Sequence, residues 1–308
     1  MREYITLALV GGCWLFLAAV GVVHAGEPTP RPLTNPQDPI SYGADPTGKN
    51  DSSAAFRNAA SAGDIDVPPG NFLINSNVIL GARNLRCESG ATLIQTAMAQ
   101  HFMLMVSGSG SVFNCHFRGP YADTNIPGFN LFPEDFIHLT PPSSGYQIVG
   151  NDFNGSAGWT GAIDVYTRGG TPATDFEIGW NTFEHCAYYA VQVTSGQNGL
   201  FDNNTAQDCA GFVEADTSSQ MNTGNVADSN HFTFIYGTGW TNHGAGRWAS
   251  EFTCGQSASG NPYDYAGNLC ENNIIDGPHA SVLAESPASG GVAATYINNT
   301  CTGGCIVN

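Results

Sequence analysis

Short runs of alternating apolar and polar residues dominate the chain. Ile137-His138-Leu139-Thr140, Ile163-Asp164-Val165-Tyr166, Val191-Gln192-Val193-Thr194 and Val213-Glu214-Ala215-Asp216 each place apolar side chains on one face and polar ones on the other. A period of two is the signature of a half-buried strand. The runs are separated by turns that share an Asn-x-apolar pattern at Asn151, Asn181, Asn204, Asn230, Asn273 and Asn299. Successive offsets are 30, 23, 26, 43 and 26 residues. Residues 181–186 and 204–209 align directly, each ending in Cys. No helical period intervenes. Such spacing predicts coils of a parallel β-solenoid, in which unequal offsets reflect loops of unequal length. The recurring Asn is expected to stack at a turn, its side chain bonding neighbouring backbone, in keeping with its tolerance of left-handed conformations. The 43-residue offset fits two coils or one coil with a long loop, and Gly and Ser density over 236–268 favours the loop.

The N-terminal end reads differently. Arg2 precedes an apolar run over 5–23, and Val23-His24-Ala25 resembles a small-residue cleavage site. Residues 1–25 are therefore expected to be a secretory signal peptide, followed by a Pro-rich linker over 26–39 and a single domain over 40–308. The rival reading of 5–23 is an uncleaved membrane anchor. Asn50 or Asp51 can cap a short helix near 52–60 whose apolar side is Ala55, Phe56 and Ala59. Residues 65–74 read as strand, turn, strand.

Tyr42-Gly43-Ala44, Asp51-Ser52-Ser53-Ala54-Ala55-Phe56 and Val67-Pro68-Pro69-Gly70-Asn71-Phe72 resemble the N-terminal signature of the pectate lyase superfamily. This is the branch shared by rhamnogalacturonase- and epimerase-like proteins and many phage tailspikes. The resemblance implies an all-β, right-handed parallel β-helix with a short N-terminal capping helix. It says less about chemistry, because these residues cap and start the helix. The motifs that mark polygalacturonases are absent, and Asp276-Gly277-Pro278-His279 echoes an alginate-epimerase stretch only loosely.

Charge and cysteines narrow the setting. The formal net charge is −17, which disfavours nucleic acid and anionic membrane surfaces as partners. Nine cysteines minus Cys13 leave an even number, which after a signal peptide suggests disulfides in a secreted, extracellular or periplasmic protein. Cys186 and Cys209 occupy equivalent coil positions, where strands about 4.8 Å apart suit a disulfide. Cys87–Cys115, Cys254–Cys270 and Cys301–Cys305 are the remaining natural pairs.

Aligning the alternating runs gives two polar ladders on what should be an outer strand face. One holds His138, Asp164, Gln192 and Glu214. The other holds Thr140, Tyr166, Thr194 and Asp216, with Arg168 at the end of its strand. Asp164 and Glu214 stand two rungs apart, about 9.6 Å at Cα level. Inverting glycosidases hold their acids about 6.5–9.5 Å apart, with water between. The candidate catalytic set is therefore Asp164, Glu214, Asp216, His138, Tyr166 and Arg168. Gln192, Thr194, Trp240 and Trp248 are candidate substrate contacts. Three functions use these residues: hydrolysis of a polysaccharide, which is favoured; calcium-dependent elimination or epimerisation of a uronate; or non-catalytic glycan binding and adhesion. For the second, Asp164, Glu214 and Asp216 would hold Ca²⁺, which takes carboxylate oxygens, as the resemblance allows. Asp175, Glu177 and Asp228 read as plain surface residues, and His185 as a turn residue.

Overall fold

The computed structural model describes residues 29–96, 102–120, 135–156, 161–165, 171–186, 189–209, 211–215 (backbone only), 223–233, 267–276 and 294–302. Three parallel sheets of ten, nine and six strands form the walls of a right-handed parallel β-helix, and each coil contributes strands to them in turn. The six-stranded sheet runs through Val78–Gly81, Leu104–Gly108, Ile137–Ser143, Gly161–Val165, Tyr189–Val193 and Gly211–Ala215.

Alternation fixes which side chains fill the barrel. Leu85, Val112, Ile148, Ile178, Phe201, Ala227 and Cys270 stack in register along the nine-stranded sheet and are buried. In the ten-stranded sheet Phe117, Phe153 and Phe183 stack face to face, with centroids 4.8 and 4.9 Å apart. That is the strand spacing itself. A one-residue slip would turn the whole row outward, so the aromatic stack pins the register.

The asparagines form the second fixing element. Each ladder Asn follows a turn residue at positive φ, such as Trp180 (58°), Asn203 (53°), Ser229 (56°) and Asn272 (55°). The Oδ1 of Asn204 accepts from the Asn181 backbone N–H and from its Nδ2, both at 3.0 Å. The Nδ2 of Asn204 donates to the Ile178 carbonyl and to Asn230 Oδ1, both at 2.9 Å. The same pattern links Asn151 to Asn181, Asn230 to Asn273 and Asn273 to Asn299. The ladder therefore runs through all six asparagines that the sequence spacing singles out. The 43-residue offset is one coil, because Val226–Asp228 pairs directly with Leu269–Glu271. Most of 236–268 lies outside the described residues.

Helix Ser53–Ala62 covers the first end, burying Ala55, Phe56, Ala59 and Ala60. Phe56 meets Phe72 edge-on at 5.6 Å. The N-cap is Ser52, which makes no side-chain cap hydrogen bond, and Asp51, one residue earlier, accepts the Ser53 N–H at 3.0 Å. Part of the expected linker is docked. Gln37 bridges to Ile65 in parallel, Pro39 is buried, and Arg31 donates to Gln147 Oε1 at 3.0 Å. Among the described residues no helix is long and apolar enough to cross a membrane. The expected signal segment 1–25 lies outside them.

Two expected disulfides are present, Cys87–Cys115 and Cys186–Cys209. Cys270 and Cys301 are also disulfide-bonded. Their expected partners, Cys254 and Cys305, lie outside the described residues. The Cys186–Cys209 bridge joins residues 23 apart in the chain. In the chain-entropy model such a loop stabilises by about 3 kcal/mol. The double variant Cys186→Ser/Cys209→Ser should lose that much in equilibrium unfolding. An unchanged midpoint would show that adjacent coils are already held by their ladders.

Candidate functional site

The six-stranded sheet brings the first polar ladder together. His138 pairs with Asp164, Asp164 with Gln192, and Gln192 with Glu214, each directly across a strand boundary. Their neighbours Ile137, Leu139, Ile163, Val165 and Val191 are fully buried in the barrel, and Val193 nearly so. His138, Asp164 and Gln192 therefore project from the opposite face. Of the second ladder, Thr140 and Thr194 lie among the described residues. Tyr166, Arg168, Asp216, Trp240 and Trp248 do not.

The described side chains of this face, His138, Asp164, Gln192 and Thr194, are not open to solvent, as the alternation alone suggests they should be. His138 is 6% exposed, Asp164 2%, Gln192 8% and Thr194 7%. Alternation assigns a side chain to a face but does not say whether that face is covered. Part of the cover is Phe102, whose ring lies on the His138 imidazole at 3.9 Å between centroids and 11° between planes. His138 Nδ1 stands 3.0 Å from Asp164 Oδ2. A hydrogen bond of that length in a buried setting fixes the imidazole orientation, with Nδ1–H donating to the carboxylate.

A third acid joins this pair. Asp135 stands two residues before the strand Ile137–Ser143 and is 1% exposed. Its Oδ1 accepts the Gly161 N–H at 3.3 Å. One donor atom from each of Asp135, His138 and Asp164 lies within 4.8 Å of the others. Sequence reasoning missed Asp135 because the alternating run starts after it. It also missed Phe102, which belongs to no polar pattern. From inside the wall Tyr146 reports the same charge. Its phenol is fully buried, and burial first, then the Asp164 carboxylate, raises its pKa well above the ordinary value.

Other candidates separate from this site. His185 takes a positive φ of 53° at its turn, with Nδ1 3.4 Å from Asn154 Oδ1. Asp228 is 7% exposed, which corrects its reading as a plain surface residue. Its Oδ1 accepts from Ser229 Oγ and Asn272 Nδ2, both at 2.9 Å, so turn side chains draw it into the wall.

Comparison with solved structures places the architecture. An iota-carrageenase solved with iota-carrageenan fragments is similar in fold, with a TM-score of 0.58 and 14% identity over 84% of this chain and 59% of that one. An iota-carrageenase from A. fortis gives a TM-score of 0.52 and 15% identity over 84% of this chain and 57% of that one. PfbA, a surface adhesin of Streptococcus pneumoniae, gives a TM-score of 0.52 and 15% identity over 86% of this chain and 80% of that one. The chain spans less than two thirds of either carrageenase. At these identities the likeness establishes the parallel β-helix and no activity. No protein-family model matches the chain, and no curated protein matches it.

Proposed function

We propose that the protein is a secreted carbohydrate-active enzyme of the pectate lyase superfamily that hydrolyses glycosidic bonds of a polysaccharide. The observation that carries this reading is the register of Asp164, Gln192 and Glu214 on three adjacent strands. It sets two carboxylic acids about 9.6 Å apart at Cα level with one hydrogen-bonding residue between. One acid protonates the leaving oxygen and the other activates water, as inverting glycosidases require. Gln192 on the middle rung is placed to hold a sugar hydroxyl or that water. Fold likeness to two carrageenases supports a glycan substrate. The bridges Cys87–Cys115 and Cys186–Cys209 support an oxidising, extracellular or periplasmic setting.

A second reading, a non-catalytic glycan-binding or adhesion protein, draws on the burial of His138 and Asp164 and on the likeness to PfbA. One experiment separates them. The purified full chain is incubated with neutral, sulfated and uronate-containing polysaccharides, with and without a calcium chelator. Hydrolysis releases reducing ends with no ultraviolet-absorbing product and survives the chelator. Unsaturated, calcium-dependent products would instead establish a lyase, with Asp164, Glu214 and Asp216 as the candidate calcium ligands. Binding to a glycan without any cleavage would establish the adhesin-like reading.

A further inference from the structure

We infer that Asp135, His138 and Asp164 form a binding site for a divalent transition-metal ion of the zinc type, distinct in ligand set and metal from the calcium site that Asp164, Glu214 and Asp216 would make. Three observations converge. First, the donors are one imidazole nitrogen and two carboxylate oxygens, all within 4.8 Å of one another. Calcium is bound by oxygen ligands alone, whereas zinc takes His nitrogen and Asp oxygen together. Zinc bonds of about 2.1 Å put tetrahedral donors roughly 3.4 Å apart. His138 Nδ1 and Asp164 Oδ2, now 3.0 Å apart across a hydrogen bond, would open toward that separation as an ion takes the place of the bridging proton, which is released to solvent.

Second, all three residues are buried. Two carboxylates this close in a buried site repel, and a divalent ion between them relieves that repulsion. A divalent ion with neutral His138 brings the trio to zero charge. Third, the ligands are held before any ion arrives. Strand pairing sets His138 opposite Asp164, the ring of Phe102 fixes the imidazole plane, and the Gly161 N–H orients Asp135. Groups of this kind around a ligand aim it at the ion and tune affinity. Among the described residues these three ligands converge.

Metal binding does not depend on the glycan-cleaving reading, but its effect on turnover does. An Asp164 carboxylate bound to a metal is unavailable for proton transfer or water activation. Zinc occupancy and hydrolysis should therefore exclude each other. The ion becomes an inhibitor of the proposed site.

The test is calorimetric titration of chelator-stripped full chain with zinc chloride, in the absence of any glycan. One ion per chain is expected, with calcium chloride much weaker. Asp135→Asn and His138→Gln should each weaken zinc binding by no less than the ~10–100-fold seen when outer partners of a ligand are removed. Asp152→Asn alters the exposed His116–Asp152 pair, 3.2 Å apart in the ten-stranded sheet, and should leave zinc binding unchanged. No zinc uptake by the stripped chain overturns the proposal, as does wild-type affinity in the Asp135→Asn/His138→Gln double variant. If the variants fail to fold, cobalt(II) added to the wild-type chain decides. Intense visible absorption of a four-coordinate nitrogen–oxygen set supports the site, and its absence rejects it. Zinc binding without inhibition of turnover would leave the metal site standing and reject Asp164 as a catalytic acid.

Discussion

Asp164→Asn and Glu214→Gln should each lower turnover on the cleaved polysaccharide about 10²–10⁴-fold, the usual contribution of an essential acid or base. Both substitutions keep side-chain size and remove the ability to exchange a proton. Asp164 sits at 2% exposure with His138 Nδ1 at 3.0 Å from its Oδ2. An amide oxygen can still accept that hydrogen bond, so Asp164→Asn should preserve the ladder geometry. The thermal midpoint is therefore the companion measurement. A fall in turnover with an unchanged midpoint assigns catalysis. A fall in both for Asp164→Asn, with Glu214→Gln fully active, would make the His138–Asp164 pair a structural brace. Activity like wild type in both variants would sink the ladder as the site, and attention would pass to the aromatics of 236–268. In the calcium-dependent alternative, Asp216→Asn should weaken calcium affinity and the products should absorb in the ultraviolet.

Much of this arrangement was legible in the sequence because it depends on repetition. A ladder Asn recurs wherever a left-handed turn residue is followed by a buried side chain that bonds two coils, so spacing alone picked out the positions from Asn151 to Asn299. The pairing of His138, Asp164, Gln192 and Glu214 was legible for the same reason: strands of one sheet share a phase, and phase is visible as alternation. Burial of His138, Asp164 and Gln192 was not legible. Covering depends on a non-repeating residue such as Phe102, whose contact with His138 no periodic pattern announces. Asp135 was hidden because it precedes the strand and is aimed by a backbone N–H of Gly161, twenty-six residues later in the chain. Docking of Gln37 and Arg31 was hidden by composition, since a Pro-rich stretch reads as a spacer whether or not it packs.

Asn204→Leu should destabilise the fold by about 3–5 kcal/mol, toward the low end of what its lost partners would sum to. Leucine keeps the branched four-atom skeleton without any hydrogen-bonding group, so the substitution removes the hydrogen bonds, with an overpacking cost from its bulkier methyls beside that loss. Asn204 is fully buried. Its loss removes the acceptor for the Asn181 N–H and Nδ2 and the donor to the Ile178 carbonyl. Each orphaned buried group costs about 1–3 kcal/mol. Asn230 Oδ1 retains the Asn204 backbone N–H at 3.0 Å and so stays satisfied. Against a typical domain stability of about 5–15 kcal/mol, such a loss is large. Asn299 provides the internal control. It accepts from the Asn273 N–H and Nδ2 and donates to the Cys270 carbonyl, the same three kinds of bond, but it is only half-buried. Water can replace its hydrogen bonds. Asn299→Leu should therefore cost less than half as much as Asn204→Leu in equilibrium unfolding. Equal losses at the two positions would mean that the asparagines act through turn geometry. A loss under about 1 kcal/mol at Asn204, below the usual cost of one orphaned buried group, would mean that strand pairing and the phenylalanine stack hold the coils without them.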